Sequence, residues 1–312
     1  MSFTYEVRNE LAHVMPACDQ CDRAVLAALV RMEGTLLFRG PGNYALELIT
    51  DDSCVARLMI RLIHDLYNLK TELTVRRSVL HKTPNYLIVL PVQQGIEEVL
   101  YDLGVLGEQG LVQGIETHLI ENDCCKAAYL RGAFLGSGFV SSPRGDFHFE
   151  ITTESEDLAQ DIVNLLVERD IPARSTKRRN TSTVYLKSGS AISDFLALTG
   201  AHQCMLTMED ERVIKSVRND VNRRVNAEVA NQAKSAQSSV QQIMTIRKIL
   251  EKRGIESLPP ALQEYIKLRV KYPDATLKEL GEYADPPLSK SAIYHRVRRV
   301  EKIAKELEEK CL

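Results

Sequence analysis

Residues 1–204 pass through the same order of secondary-structure signals twice, so the fold must set two similar halves side by side. The first pass opens with a helix from Asp22 to Glu33, where Val25, Leu26, Leu29 and Val30 recur at helical spacing, and Gly34 ends it. Strands follow at Thr35–Arg39 and Tyr44–Thr50, parted by the turn residues Gly40, Pro41, Gly42 and Asn43. An amphipathic helix covers Ser53–Tyr67, strands cover Glu72–Leu80 and Tyr86–Leu90, and a helix from Gln94 to Leu103 closes the unit. The second pass has a helix at Cys125–Leu135 and strands at Phe139–Ser142 and Asp146–Thr152. It continues with a helix at Glu156–Glu168, strands at Ala173–Arg179 and Thr183–Lys187, and a helix at Ser190–Leu198. The two strand-to-helix junctions also read alike, Leu48 to Ser53 against Glu150 to Ser155. The expected architecture is α+β, a tandem αββαββα duplication.

Composition narrows the class. The chain has 312 residues, 44% apolar and 26% charged, which suits a folded protein with real cores and excludes collagen-like and wholly disordered chains. No apolar run approaches the roughly 20 residues of a membrane span. The first residues carry charges of both signs in place of a secretory signal. Seven cysteines make an odd number for a disulfide framework, so reduced thiols in a cytoplasmic protein are expected. Residues 205–312 hold 21 Lys and Arg against 16 Asp and Glu, while residues 1–204 are net acidic. A basic end on an acidic body points to an anionic partner at that end, with nucleic acid first.

The two opening helices carry a resemblance. Leu26-Ala27-Ala28-Leu29-Val30-Arg31-Met32-Glu33-Gly34 and Leu130-Arg131-Gly132-Ala133-Phe134-Leu135-Gly136-Ser137-Gly138 resemble the LAGLIDADG signature of homing endonucleases and maturases. The resemblance implies two helices packed at the centre of a saddle, with Ala27, Ala28, Gly132 and Ala133 allowing close approach. It also implies an acid at the end of each helix, the pair jointly holding catalytic metals. Those positions here are Glu33 and Ser137, and a neutral serine cannot balance a divalent ion as a carboxylate does. Asp146 is a weak substitute, lying beyond a strand and a turn. Nuclease chemistry is therefore expected to be lost, with no catalytic residue and no cofactor.

From Met208 to Lys252 the sequence reads as one helix. Val213, Val217, Val221, Val225 and Val229 form a slowly drifting stripe, with Asn219, Asn222 and Asn226 opposite and Arg218 and Arg223 beside them. These polar residues are candidate nucleic-acid contacts. Past Leu258-Pro259-Pro260, helices at Ala261–Lys271, Thr276–Tyr283 and Ser289–Lys305 read as a helix-turn-helix spanning about 275–308. Thr276 and Glu279 make a capping box. On the third helix Ile293, Val297, Val300 and Ala304 should be buried, while Ser291, Tyr294, His295 and Arg298 face away as base-reading candidates. Lys290, Arg296, Arg299 and Lys302 are phosphate candidates on the rim, and Thr276 and Ser289 sit at helix starts.

Together these parts resemble the WhiA family of bacterial transcription regulators, as does the opening Ser2-Phe3-Thr4 with Val7, Glu10 and Leu11. The expected domains are 1–122 and 123–204 for the two halves, 205–257 for a helical linker and 258–312 for the helix-turn-helix. The resemblance implies sequence-specific binding of promoter duplex DNA near the nucleoid, and a role in cell division, chromosome segregation and, in spore formers, sporulation. In an actinobacterial host it also implies a WhiB-like iron–sulfur partner. Two other readings remain: a metal-dependent endonuclease retaining Glu33, and a maturase-like RNA-binding protein. No metal site is expected. Cys18-Asp19-Gln20-Cys21 is half of a zinc or redox motif without a second pair at local spacing, and Cys124-Cys125 reads as packing.

Overall fold

The computed structural model describes residues 2–40, 42–77 and 84–309; Pro41 and the last three residues of the expected Glu72–Leu80 strand lie outside them. The chain forms two units, 1–215 and 216–312. In the first unit, α1 (Phe3–Leu11), α2 (Cys21–Glu33), β1 (Gly34–Phe38), β2 (Tyr44–Thr50), α3 (Ser53–Tyr67), β3 (Glu72–Arg77), β4 (Pro84–Leu90) and α4 (Ile96–Asp102) make the first half. A small hairpin of β5 (Leu106–Gly107) and β6 (Gly110–Leu111), which periodicity did not reveal, leads to the second half. That half comprises α5 (Asp123–Ser137), β7 (Gly138–Val140), β8 (Phe149–Thr153), α6 (Glu156–Val167), β9 (Ala173–Arg178), β10 (Thr181–Leu186) and α7 (Gly189–Thr199). The sheets have orders β1-β2-β4-β3 and β7-β8-β10-β9, both antiparallel, so the repeat expected from sequence is a repeat of topology.

The two strand-to-helix junctions match by mechanism, one residue out of the expected alignment. Asp52 caps α3 by accepting from the Cys54 amide at 3.0 Å, and Ser155 caps α6 by accepting from the Leu158 amide at 3.2 Å. The cap residue's own amide donates to Thr50 Oγ1 in the first junction and to Thr153 Oγ1 in the second, each at 3.3 Å. The equivalent of Asp52 is thus Ser155. The expected strand at Asp146–Thr152 starts only at Phe149, because residues 141–148 close a turn in which the His148 amide donates to Ser141 Oγ at 2.9 Å.

The packing of α2 on α5 is the centre of this unit. Gly132 lets the helices touch: a Cβ there would lie 2.4 Å from the Val25 carbonyl oxygen and 2.8 Å from Ala28 Cβ. Gly136 does the same further along, 2.6 Å from Met32 Cβ. The residues of the opening segment earn their places individually. Ser2 caps α1, Phe3, Val7 and Leu11 are buried, and Thr4 Oγ1 both donates to the Val140 carbonyl at 2.7 Å and accepts its amide at 3.1 Å. Glu10 receives the amides of Gln203 and Cys204 at 2.7 and 3.0 Å, capping α8 (His202–Arg253), which begins six residues before the expected Met208.

In the second unit the end of α8 packs with α9 (Pro260–Lys271), α10 (Leu277–Glu282) and α11 (Lys290–Glu309). Ile246 and Ile249 belong to the same core as Leu262, Tyr265, Ile266, Leu280, Ile293, Val297 and Val300. The stretch read as a linker thus supplies one wall of the helix-turn-helix core. Arg269, buried to 1% exposure, donates to the carbonyls of Pro273 and Ala275 at 3.3 and 2.5 Å and so fixes the turn from α9 into α10. Gly281 is required where the chain turns toward α11: Leu288 donates its amide to the Gly281 carbonyl at 2.8 Å, and a Cβ on Gly281 would sit 2.2 Å from the Leu288 oxygen. Among the described residues no helix is long and apolar enough to cross a membrane.

Candidate nucleic-acid interface

α11 sorts its side chains by helical geometry. Ile293, Val297 and Val300 are buried, whereas Ser291, Tyr294, His295 and Arg298 are exposed, as are Lys290, Arg299 and Lys302. Its start is capped by Ser289, whose Oγ accepts the Ala292 amide at 3.2 Å. Thr276 and Glu279 form the reciprocal capping box on α10, with the Thr276 amide donating to Glu279 Oε2 at 2.7 Å; that bond holds the Glu279 carboxyl below its ordinary pKa. Thr276 and Ser289 therefore position helices with their side chains. Arg296 does not belong with the rim cations. It pairs with Glu264 at 2.7 Å and fastens α11 to α9. Arg298 keeps a loose pair with Glu301 at 3.6 Å, and Lys302 one with Glu306 at 4.0 Å, both on an exposed helix surface where such pairs are worth little and exchange readily.

Along α8, Arg218, Asn219, Asn222, Arg223 and Asn226 are all exposed, and Arg223 pairs with Asp220 one turn back. The valines of the expected apolar stripe are exposed too, Val213 by 62% and Val225 by 50%. In the first unit the basic cluster on β9 divides by strand alternation. Lys177 lies 2.5 Å from Glu156, while Arg174, Thr176 and Arg178 alternate with it toward the other face.

The ends of the signature helices hold an unexpected cation. Glu33 ends α2 and Ser137 ends α5, and Ser137 Oγ lies 3.5 Å from the Met32 sulfur. Arg8 reaches in from α1, donating from Nη2 to the carbonyls of Gly136 and Gly138 at 3.3 and 3.0 Å and from Nη1 to Asp51 at 3.2 Å. Burial raises the Glu33 carboxyl to about 7, with the Arg8 charge opposing the rise and the Asp51 charge adding to it. Asp51 is the acid beside Glu33; Asp146, the substitute considered from sequence, lies in the turn before β8, where its carbonyl accepts from Ser141 Oγ.

At the opposite ends of the same helices, the cysteines of the two halves come together. Cys18 and Cys21 precede and open α2, Cys124 and Cys125 lie in the first turn of α5, and the four sulfurs lie within 4.8 Å of one another. The pair beside Cys18 and Cys21 comes from the other half of the duplication, 106 residues along the chain from Cys18 to Cys124. Local spacing could not reveal it.

Comparison with known proteins matches three family models end to end along the chain. They are the WhiA N-terminal LAGLIDADG-like domain over residues 19–106, the WhiA LAGLIDADG-like domain over 126–218 and the WhiA C-terminal HTH domain over 221–304. A "Probable cell division protein WhiA" from Desulforamulus reducens is 43% identical over 98% of this chain and 96% of its own length. One of the same description from Thermoanaerobacter pseudethanolicus is 41% identical over 99% of each. The full-length DUF199/WhiA structure from Thermotoga maritima superposes with a TM-score of 0.61 at 25% identity, covering 98% of this chain and 99% of that one.

Proposed function

The chain belongs to the WhiA family, and on that premise we propose that it is a sequence-specific duplex-DNA-binding regulator without nuclease activity. The observation that carries this reading is the two-faced α11. Its apolar face is locked into a core by Ile293, Val297 and Val300, so Ser291, Tyr294, His295 and Arg298 are presented on a rigid helix. A helix so mounted fits the major groove, where Arg298 can read guanine and the hydroxyls and imidazole can reach base edges. Lys290, Arg299 and Lys302 flank that face at the reach of phosphates. Arg218, Asn219, Asn222, Arg223 and Asn226 offer a second set of backbone contacts. The name carried by the relatives supports a role in cell division, exercised through the promoters that the helix-turn-helix selects.

Electrostatics at the paired helix ends oppose catalysis. A metal-dependent nuclease needs uncompensated carboxylates at the paired helix ends. Here Glu33 faces a neutral Ser137, and the guanidinium of Arg8 already satisfies Asp51 and the carbonyls of Gly136 and Gly138. A divalent ion would meet a fixed positive charge where it needs negative ones.

The test is a salt titration of binding to genomic duplex fragments and to A-form RNA of equal length. Affinity for DNA should exceed that for RNA, and its logarithm should fall with log salt at a slope of about −0.9 for each phosphate contacted. Preference for the RNA would replace this reading with the maturase-like one.

A further inference from the structure

We propose that Cys18, Cys21, Cys124 and Cys125 form a tetrathiolate site for a single zinc ion that clamps the two halves of the duplication together at the N-terminal ends of α2 and α5. Geometry selects a single ion. Tetrahedral zinc with bonds of about 2.3 Å separates its sulfurs by about 3.8 Å. Cys18 Sγ lies 3.4 Å from Cys21 Sγ, 3.4 Å from Cys124 Sγ and 3.6 Å from Cys125 Sγ. No pair among the four exceeds 4.8 Å. An iron–sulfur cluster places irons and sulfides between its ligands and spreads them beyond such a shell. Disulfides need sulfurs about 2.05 Å apart, and four thiols in mutual contact single out none of their three possible pairings.

The surroundings suit a charged tetrathiolate. Cys21 and Cys125 are buried, while Cys18 and Cys124 are partly exposed and give an ion a path inward. The cysteines of both pairs lie at or just before helix starts, where the positive ends of two helix dipoles favour thiolates against the opposing cost of burial at Cys21 and Cys125. The Arg131 guanidinium, buried in the body of α5, adds a cation close enough to Cys21 to interact with it. Cys54 and Cys204 are buried elsewhere, away from this group, and serve as internal controls.

The ligand set also explains why the site belongs to the whole fold. Neither half holds more than two ligands, so neither can form the shell alone. The ion would act where α2 and α5 begin to pack, at the end remote from Glu33 and Ser137, as a structural closed site with no position left for substrate.

The full-length chain purified under reducing conditions tests this by elemental analysis and by cobalt substitution. The expected result is one zinc per chain, replaced by cobalt with the strong visible bands of tetrahedral tetrathiolate coordination. Chelation should lower the melting temperature and expose four more thiols to alkylation. The C18S/C21S variant should lose the ion and the cobalt bands, while C204S keeps both. Should the double variant fail to fold, the wild-type stoichiometry and cobalt spectrum decide alone. Wild-type protein that is folded, metal-free and silent with cobalt, or that carries a disulfide between any two of the four cysteines, overturns the proposal; iron in place of zinc overturns the choice of ion.

Discussion

The guanidinium of Arg8 donates to the Gly138 carbonyl at 3.0 Å, tying the first helix of the chain to the end of the second signature helix. The same side chain reaches Asp51 and lies close enough to Glu33 to oppose the rise of its pKa. A cation from α1 thus stands where the family resemblance leads one to look for metal ions.

Glu33 gives the chain a specific pH dependence. Its carboxyl titrates near 7 when folded and near 4.5 when unfolded, so the folded chain holds a proton through that window that the unfolded chain releases. This contribution is full below about pH 4.5, declines as pH rises to 7, and then stays level. Glu33→Gln should abolish the decline and leave the variant more stable at pH 8 by about 2 kcal/mol, as measured by urea unfolding at a series of pH values. Arg8→Met should carry the decline to higher pH and deepen it in the wild-type background, because it removes the charge that opposes the shift. Parallel profiles for Glu33→Gln and wild type would contradict the assignment.

Gly132 should tolerate nothing larger. A methyl group there meets the Val25 backbone and Ala28 Cβ inside contact distance, so the helices must separate. Gly132→Ala is expected to cost about 2–3 kcal/mol despite the better helix propensity of alanine, read as a lowered thermal midpoint of the first unit. Gly145→Ala, in the turn before β8 where the added Cβ finds only an ordinary 3.6 Å neighbour, is the control.

The basic residues of α11 should separate into three kinds. Arg298→Ala should cost about 1–3 kcal/mol on the preferred site and relax selection at one position. Arg299→Ala and Lys302→Ala should weaken binding evenly across sequences and each reduce the salt slope by about 1. Arg296→Ala should instead loosen α11 from α9, lowering the melting temperature of the second unit, since its partner is Glu264 and not a phosphate. Equal effects of all four on binding, with none on stability, would refute this sorting.

Much of the fold was legible because it rests on local regularities. Hydrophobic period placed α2, α3, α6 and α11 within a few residues of their ends, and the apolar stripe of α11 picked the face that Ile293, Val297 and Val300 bury. Thr276 and Glu279 were readable as a capping box because the motif is contained in four residues. What escaped depends on contacts between distant segments. Arg8 has no local partner that announces its role, and Arg296 differs from Arg299 only in meeting Glu264 across the bundle. Cys18 and Cys124 stand 106 residues apart, and only the side-by-side packing of α2 and α5 makes them neighbours. Gly136 is absent from the close-approach residues read in the sequence for the same reason: its value lies in what Met32 does on the opposite helix.

The central claim is that this chain selects duplex DNA and leaves it intact. The most direct measurement is to incubate the full-length protein with fragmented bacterial genomic DNA in magnesium, recover the bound pieces and sequence them with their ends. The account predicts a recurrent motif inside uncut fragments, with selection relaxed at one position of that motif in Arg298→Ala. New ends clustered at one sequence and abolished by Glu33→Gln would contradict it, placing a working nuclease at the paired helix ends.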